Sequence, residues 1–233
     1  MITLVSDTLI TTPHHAFQMP LSKLRSSMAL IPQVPVLFTG TIRLNLSPFG
    51  LHNDAELWNA LRRWGKCQHL SQKYHHNLLH DVNTYSSPSR AHLAVVVEAW
   101  PAGLDTLLQE GGAPLSAGQK QLLALARAQL NPSRVLVLDE ATANVDVETD
   151  AVIQRTMRTE FKDRTILAIA HRLHTIIDYD KVLVLDKGLV AEFGTPKDLL
   201  AMPKGIFTSM VDDTGEATSK FLKGVAMGKV SRS

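Results

Sequence analysis

An α/β fold, a parallel sheet carrying helices together with an α-helical lobe, is predicted by three features of the sequence. From Arg134 onward the apolar pattern runs strand, helix, strand, helix, strand, over residues 135–139, 147–161, 165–170, 172–178 and 181–186. The strand segments are unbroken Val/Leu/Ile runs such as Val135-Leu136-Val137-Leu138. Such runs suit strands covered on both faces, and helices between them imply parallel neighbours. Upstream, apolar residues recur at helical spacing in two stretches: Leu57, Ala60, Leu61 and Trp64, then Leu122, Leu125 and Ala126.

In chain order, residues 1–20 show no clear period, and Pro13-His14-His15 breaks whatever begins there, so this stretch is expected to be an unassigned extension. Ala29-Leu30-Ile31 reads as a short strand ended by Pro32, and Asn53-Asp54 as the start of the first lobe helix. The lobe is expected over residues 50–130. Within it, residues 66–100 turn polar and histidine-rich, with the breaker cluster Ser86-Ser87-Pro88-Ser89, and read as an insertion. Ser116 is a natural N-cap for a helix running to Leu130. After the last core strand, Gly188 turns the chain into an antiparallel addition over 189–193, and Gly194-Thr195-Pro196 opens a final helix. Residues 212–233 are rich in Gly, Ser and Lys and are expected to be a flexible tail.

Composition narrows the function classes. At 233 residues and 45% hydrophobic, the chain can bury a substantial core. A formal charge of +2 gives no reason to expect nucleic acid or an anionic membrane surface as partner. The single cysteine, Cys67, excludes an internal disulfide. No apolar run approaches the roughly 18 to 20 residues of a membrane-spanning helix, and the N-terminus lacks the basic start and cleavage site of a secretory signal.

The chemistry-bearing residues fall at predicted element ends. Ligands of an open parallel sheet bind beyond the carboxyl ends of its strands. Asp139-Glu140 closes one strand and His171 follows another, so the three side chains are expected at one rim. A first carboxylate there can hold magnesium, directly or through water, while a second polarises a water beside a phosphate. His171 can hydrogen-bond an oxygen that gains charge. In Leu115-Ser116-Ala117-Gly118-Gln119, a capped helix start with a glycine in its first turn offers N–H groups and a dipole that favour an anion. The bland readings are a solvated strand end, a structural histidine and an ordinary capped helix. The two segments occurring in succession favour the anion site. Cys67, His69, His75, His76 and His80 invite a metal reading, but no glutamate follows His76 and a polar surface loop explains them better.

These motifs resemble those of ABC-transporter nucleotide-binding domains. Residues 21–211 look like the distal part of such a domain, most similar to the second one in the multidrug-resistance-associated branch. Ile31-Pro32-Gln33-Val34-Pro35-Val36-Leu37-Phe38-Thr39-Gly40-Thr41-Ile42-Arg43 resembles the family's Q-loop, with Asn45-Leu46-Ser47-Pro48-Phe49 continuing it, and Leu115 to Gln119 its signature. Val135 to Glu140 resembles the Walker B strand, Ala143-Asn144-Val145-Asp146 the D-loop, and Ala168-Ile169-Ala170-His171-Arg172 the switch histidine. The resemblance implies a partial P-loop NTPase-like core, with ATP and magnesium as cofactors. Gln33 and Asp139 would be on the magnesium side, Glu140 the general base and His171 at the γ-phosphate. Asp146 and Gln119 would contact nucleotide, and Ser116 and Gly118 would face ATP held by an opposite domain. The implied partners are a second nucleotide-binding domain and transporter membrane domains, which places the chain at the cytoplasmic face of a membrane.

One departure matters. No stretch of the chain supplies Gly-x-x-x-x-Gly-Lys-Ser/Thr. Gly65-Lys66 is followed by Cys67, and Gly228-Lys229 by Val230. Losing three charge-assisted hydrogen bonds at roughly 1.5 to 3 kcal/mol each would weaken ATP binding about a thousandfold or more. The domain is therefore expected to be incomplete as given. Two other readings remain: a non-catalytic remnant that offers its signature in trans, and half of a chromosome-maintenance ATPase head. The last is disfavoured because no heptad coiled coil precedes the domain.

Overall fold

The computed structural model describes residues 2–5, 20–64, 93–140, 145, 147–170 and 172–229. In chain order the first elements are β1 (Ile2–Val5), α1 (Leu21–Ser27), β2 (Met28–Ile31), β3 (Gly40–Thr41), α2 (Ile42–Leu46) and α3 (Asp54–Arg63). Next come α4 (Leu93–Glu98), β4 (Leu107–Leu108), α5 (Ala117–Leu130), β5 (Val135–Asp139) and α6 (Val147–Glu160). The chain continues through β6 (Thr165–Ile169), α7 (Leu173–Ile176), β7 (Lys181–Asp186) and β8 (Leu189–Gly194). It closes with α8 (Pro196–Leu200), α9 (Ile206–Asp212) and α10 (Glu216–Ala226). The contacts group these into two compact units. One spans residues 1–30, 133–140 and 163–233, the other 31–132 and 141–162.

The first unit is the predicted α/β core. Its sheet has the order β2-β5-β6-β1-β7-β8. β5 and β6 are parallel, pairing Val135 with Thr165 through to Asp139 with Ile169. β1 is antiparallel to both β6 and β7, so those two strands share a direction. A strand at Ile2–Val5 was not expected from a segment that reads as an extension. Ile-Thr-Leu-Val is too short to carry its own signal, and its neighbours' unpaired edges supply the hydrogen bonds that order it. Burial along the core strands alternates. In β7, Val182 and Val184 are buried while Leu185 is exposed. The continuous apolar runs thus have one closed face and one more open one.

The segment after β8 corrects the expectation of a frayed tail. Two helices follow α8, and Leu222 of α10 is buried in a cluster with Leu173, Ile176, Val182, Leu199, Phe207 and Val211. Asp212, at the end of α9, ties the two last helices by accepting from Ser219 Oγ at 2.7 Å and Lys223 Nζ at 2.6 Å.

The second unit is helical and larger than the lobe expected from the sequence, because α6 packs within it. α3 begins with a capping box: Asn53 accepts from the Glu56 N–H, and Glu56 returns a bond to the Asn53 N–H. It buries Leu57, Ala60 and Leu61. α5 is closed on nearly all sides, burying Leu122, Leu123, Leu125 and Ala126. α4 corrects part of the insertion reading, since Leu93 and Val97 are core residues rather than loop. Cys67 and the histidines at 69, 75, 76 and 80 lie outside the described residues.

Two polar networks fix this unit. Trp64 is fully buried, packs against Phe161 with the rings tilted by 43° and their centroids 5.5 Å apart, and donates from Nε1 to Gln129 Oε1 at 2.8 Å. Gln129 donates in turn to Glu160 Oε2 at 2.7 Å, which also pairs with Arg63 at 2.6 Å. On the surface, Arg43 of α2 bridges Asp54 and Asp105, reaching the latter at 2.8 Å. Hydrogen bonds to Arg43 hold both carboxyls below the usual carboxylate range. A depressed folded-state pKa stabilises above the unfolded value and loses that contribution as the pH falls through the folded one. The urea midpoint is therefore expected to fall below about pH 4. In Arg43→Met that acid-side slope should be shallower, which urea titrations between pH 5 and pH 2.5 would reveal.

Candidate functional site

The parallel pairing of β5 and β6 decides where the acidic pair stands. Asp139 lies opposite Ile169 at the carboxyl ends of the two strands, so both strands stop at one level. Asp139 is exposed there. The next residue, Glu140, is half-buried, and its backbone N–H donates to the Ile169 carbonyl at 3.0 Å. That bond carries the ladder one residue past the strand and holds Glu140 at φ +46°, a left-handed conformation that L-residues with a Cβ rarely adopt. Retaining a glutamate in such a conformation costs on the order of 1–2 kcal/mol. Such cost is concentrated at functional positions.

His171, expected at this rim, lies outside the described residues, as does Asp146. The strand that leads to His171 is β6, whose last paired residue, Ile169, is the partner of both Asp139 and Glu140.

In the helical unit, Ser116 is exposed and caps α5. Its Oγ accepts from the Gln119 N–H at 3.3 Å, while Gln119 Oε1 accepts from the Ser116 N–H at 2.9 Å. The sequence pointed to the cap but not to the reciprocal role of Gln119, although the Ser-x-x-Gln spacing is its signal. Gly118 falls in the first turn of α5 and is half-buried. Ser116→Ala is expected to destabilise the helix by about 1 kcal/mol, whereas Ser116→Asp, another good cap, should keep its stability. Urea midpoints of the two variants therefore separate capping from any role toward an anion.

Gln33 sits exposed at a bend just beyond β2. Downstream of it the loop is held by Asn45, a fully buried side chain of α2. Asn45 Oδ1 accepts from the Phe38 N–H at 2.8 Å, and Nδ2 donates to the carbonyls of Phe38 at 2.8 Å and Thr41 at 3.1 Å. Arg127 of α5 also reaches this loop, donating to the Val36 carbonyl at 3.1 Å. Burial lowers the pKa of its guanidinium. Both residues escaped the sequence reading. Arg127 did leave a signal as a cation within an otherwise apolar run, whereas nothing in the spacing around Asn45 marks it.

Among the described residues, no helix is long and apolar enough to cross a membrane. Residues 6–143 match the family model described as ABC transporter. ATP-binding cassette sub-family C member 3 of Rattus norvegicus is 49% identical over 84% of this chain, which spans 11% of that protein. Multidrug resistance protein mrp-7 of Caenorhabditis elegans is 47% identical over 85% of the chain, again 11% of its own length. A solved bacterial Atm1-family ABC exporter with ATP bound superposes with a TM-score of 0.66 at 32% identity, over 84% of this chain and 29% of that one.

Proposed function

The chain belongs to the ABC transporter family, and we propose that it serves as the nucleotide-binding domain of an exporter of the multidrug-resistance-associated branch. In this reading it binds and hydrolyses ATP at the cytoplasmic face of a membrane, together with membrane domains and a second nucleotide-binding domain. The observation that carries the proposal is the level end of β5 and β6, with Asp139 exposed beside a Glu140 kept in a costly backbone conformation.

The residues present suit magnesium. Asp139 is an exposed carboxylate and the Gln33 amide carries a second oxygen, both of the hard donor type that this ion takes. The ion, when bound, would neutralise phosphate charge. Glu140 accepts the proton of the attacking water as its oxygen bonds to the γ-phosphorus and the bond to ADP breaks, a contribution of about 10²–10⁴-fold in rate. His171 hydrogen-bonds the phosphate oxygen that gains charge. Ser116, Gly118 and Gln119 meet ATP on the opposite domain through the start of α5, whose dipole favours the anion. Asp146, in the segment that resembles the family's D-loop, is assigned a nucleotide contact in the same reading.

Since the 233 residues hold no phosphate loop, the firm grip on ATP comes from another segment or chain. That same observation favours a second reading, in which this chain only contributes its signature in trans. ATP titration of the chain alone and of its mixture with a complete nucleotide-binding domain tests the proposal. Binding should be weak alone and about a thousandfold tighter in the mixture. Tight binding by the chain alone would refute the external loop, and a mixture that binds no more tightly than the complete domain by itself would refute the nucleotide role.

A further inference from the structure

The register of the core strands gathers their less-buried side chains on one side of the sheet. Successive residues of a strand alternate between faces, and directly paired residues share one. Asp139 pairs with Ile169. Ile169 and Leu183 pair with the same residue of β1. Leu183 pairs in turn with Phe193, and Leu185 with Val190. These apolar residues are half-buried or exposed, reaching 39% at Leu185, 54% at Phe193 and 64% at Val190. The opposite face is closed, with Val182 and Val184 buried against the helices that follow β6. One face is therefore open and apolar from β6 to β8, and a carboxylate, Asp139, borders it at the level where β5 and β6 stop. Contiguous exposed apolar surface of this kind marks a site of association.

What covers it follows from what the chain lacks. The 233 residues contain no Gly-x-x-x-x-Gly-Lys-Ser/Thr, and such a loop opens a helix whose N-terminus grips phosphate. For its N–H groups to reach phosphates beside Asp139, that helix must start at the rim and run back over a face of the sheet. The closed face is already taken, which leaves the open one. β1 cannot feed such a loop, because it runs antiparallel to β6 and β7 and its carboxyl end points away from the rim. Along the six residues of β7, a length of about 20 Å, a covering helix needs about 13 residues. We infer that the open face is the docking surface for a second polypeptide, an amphipathic helix that begins with a phosphate loop. The two chains then complete one nucleotide site without a covalent link. The partner's chemistry rests on the nucleotide reading given above, whereas the surface rests on register and burial alone.

A labelled peptide of about 20 residues, Gly-x-x-x-x-Gly-Lys-Ser followed by an amphipathic helix, is the probe. Its fluorescence anisotropy should rise saturably as the 233-residue chain is added. Leu183→Lys should weaken docking by about tenfold or more. Leu185→Lys, at a side chain already exposed and so without risk to folding, should weaken it similarly. The parent peptide should also tighten ATP binding by the chain, whereas a peptide with alanine for its lysine should dock equally and leave ATP binding weak. No saturable docking, or docking that neither variant weakens, overturns the proposal. Self-association of the chain that Leu185→Lys abolishes would assign the face to a second copy and overturn it too. Docking without tighter ATP binding would refute the nucleotide reading and leave the surface standing.

Discussion

Trp64→Ala is expected to destabilise the helical unit by about 3–5 kcal/mol, the usual cost of emptying a buried aromatic site. The indole is fully buried, packs against the tilted ring of Phe161 and donates to Gln129. Its removal opens a cavity and also withdraws the donor that fixes the Gln129 amide, which in turn holds Glu160 beside Arg63. Trp64→Phe isolates the two contributions. It keeps most of the ring volume and loses the N–H, so its cost should be nearer 1–3 kcal/mol. Urea unfolding followed by far-UV circular dichroism would rank wild type, Trp64→Phe and Trp64→Ala in that order. Equal midpoints for wild type and Trp64→Ala would contradict this account of the unit's core.

Glu140→Gln is expected to lower ATP turnover about 10²–10⁴-fold in an assembly with a complete partner domain. ATP binding should change little, because the amide replaces the carboxylate without change of shape but cannot accept the proton. Single-turnover rates set beside equilibrium binding separate the two effects. Retained turnover in Glu140→Gln, with loss in Ser116→Ala, would favour the trans-signature reading over hydrolysis at this site. Asp139→Asn makes a useful partner variant, since its defect should ease as magnesium is raised, whereas that of Glu140→Gln should not.

Much of the core was legible because its strands declare themselves locally. Val135–Asp139 and Lys181–Asp186 have the bounds that their apolar runs imply, and α5 runs from the Ser116 cap to Leu130 as its periodicity requires. What escaped depends on distant partners. β1 is four residues whose pairing is decided by β6 and β7. α10 contains Gly224, Ser219 and two lysines, a composition that reads as tail, yet burial of Leu222 and the two bonds to Asp212 outweigh that local preference. The place of the acidic pair at the end of β5 could be read from the apolar run before it. The anchors of the Gln33 loop could not, since Arg127 and Val36 are 91 residues apart in sequence.

The backbone at Glu140 also bears on the history of this chain. Glycine enters that conformation without penalty, so a lineage released from the need for a carboxylate would gain about 1 kcal/mol by losing it. Drift without that need would therefore run downhill at this codon.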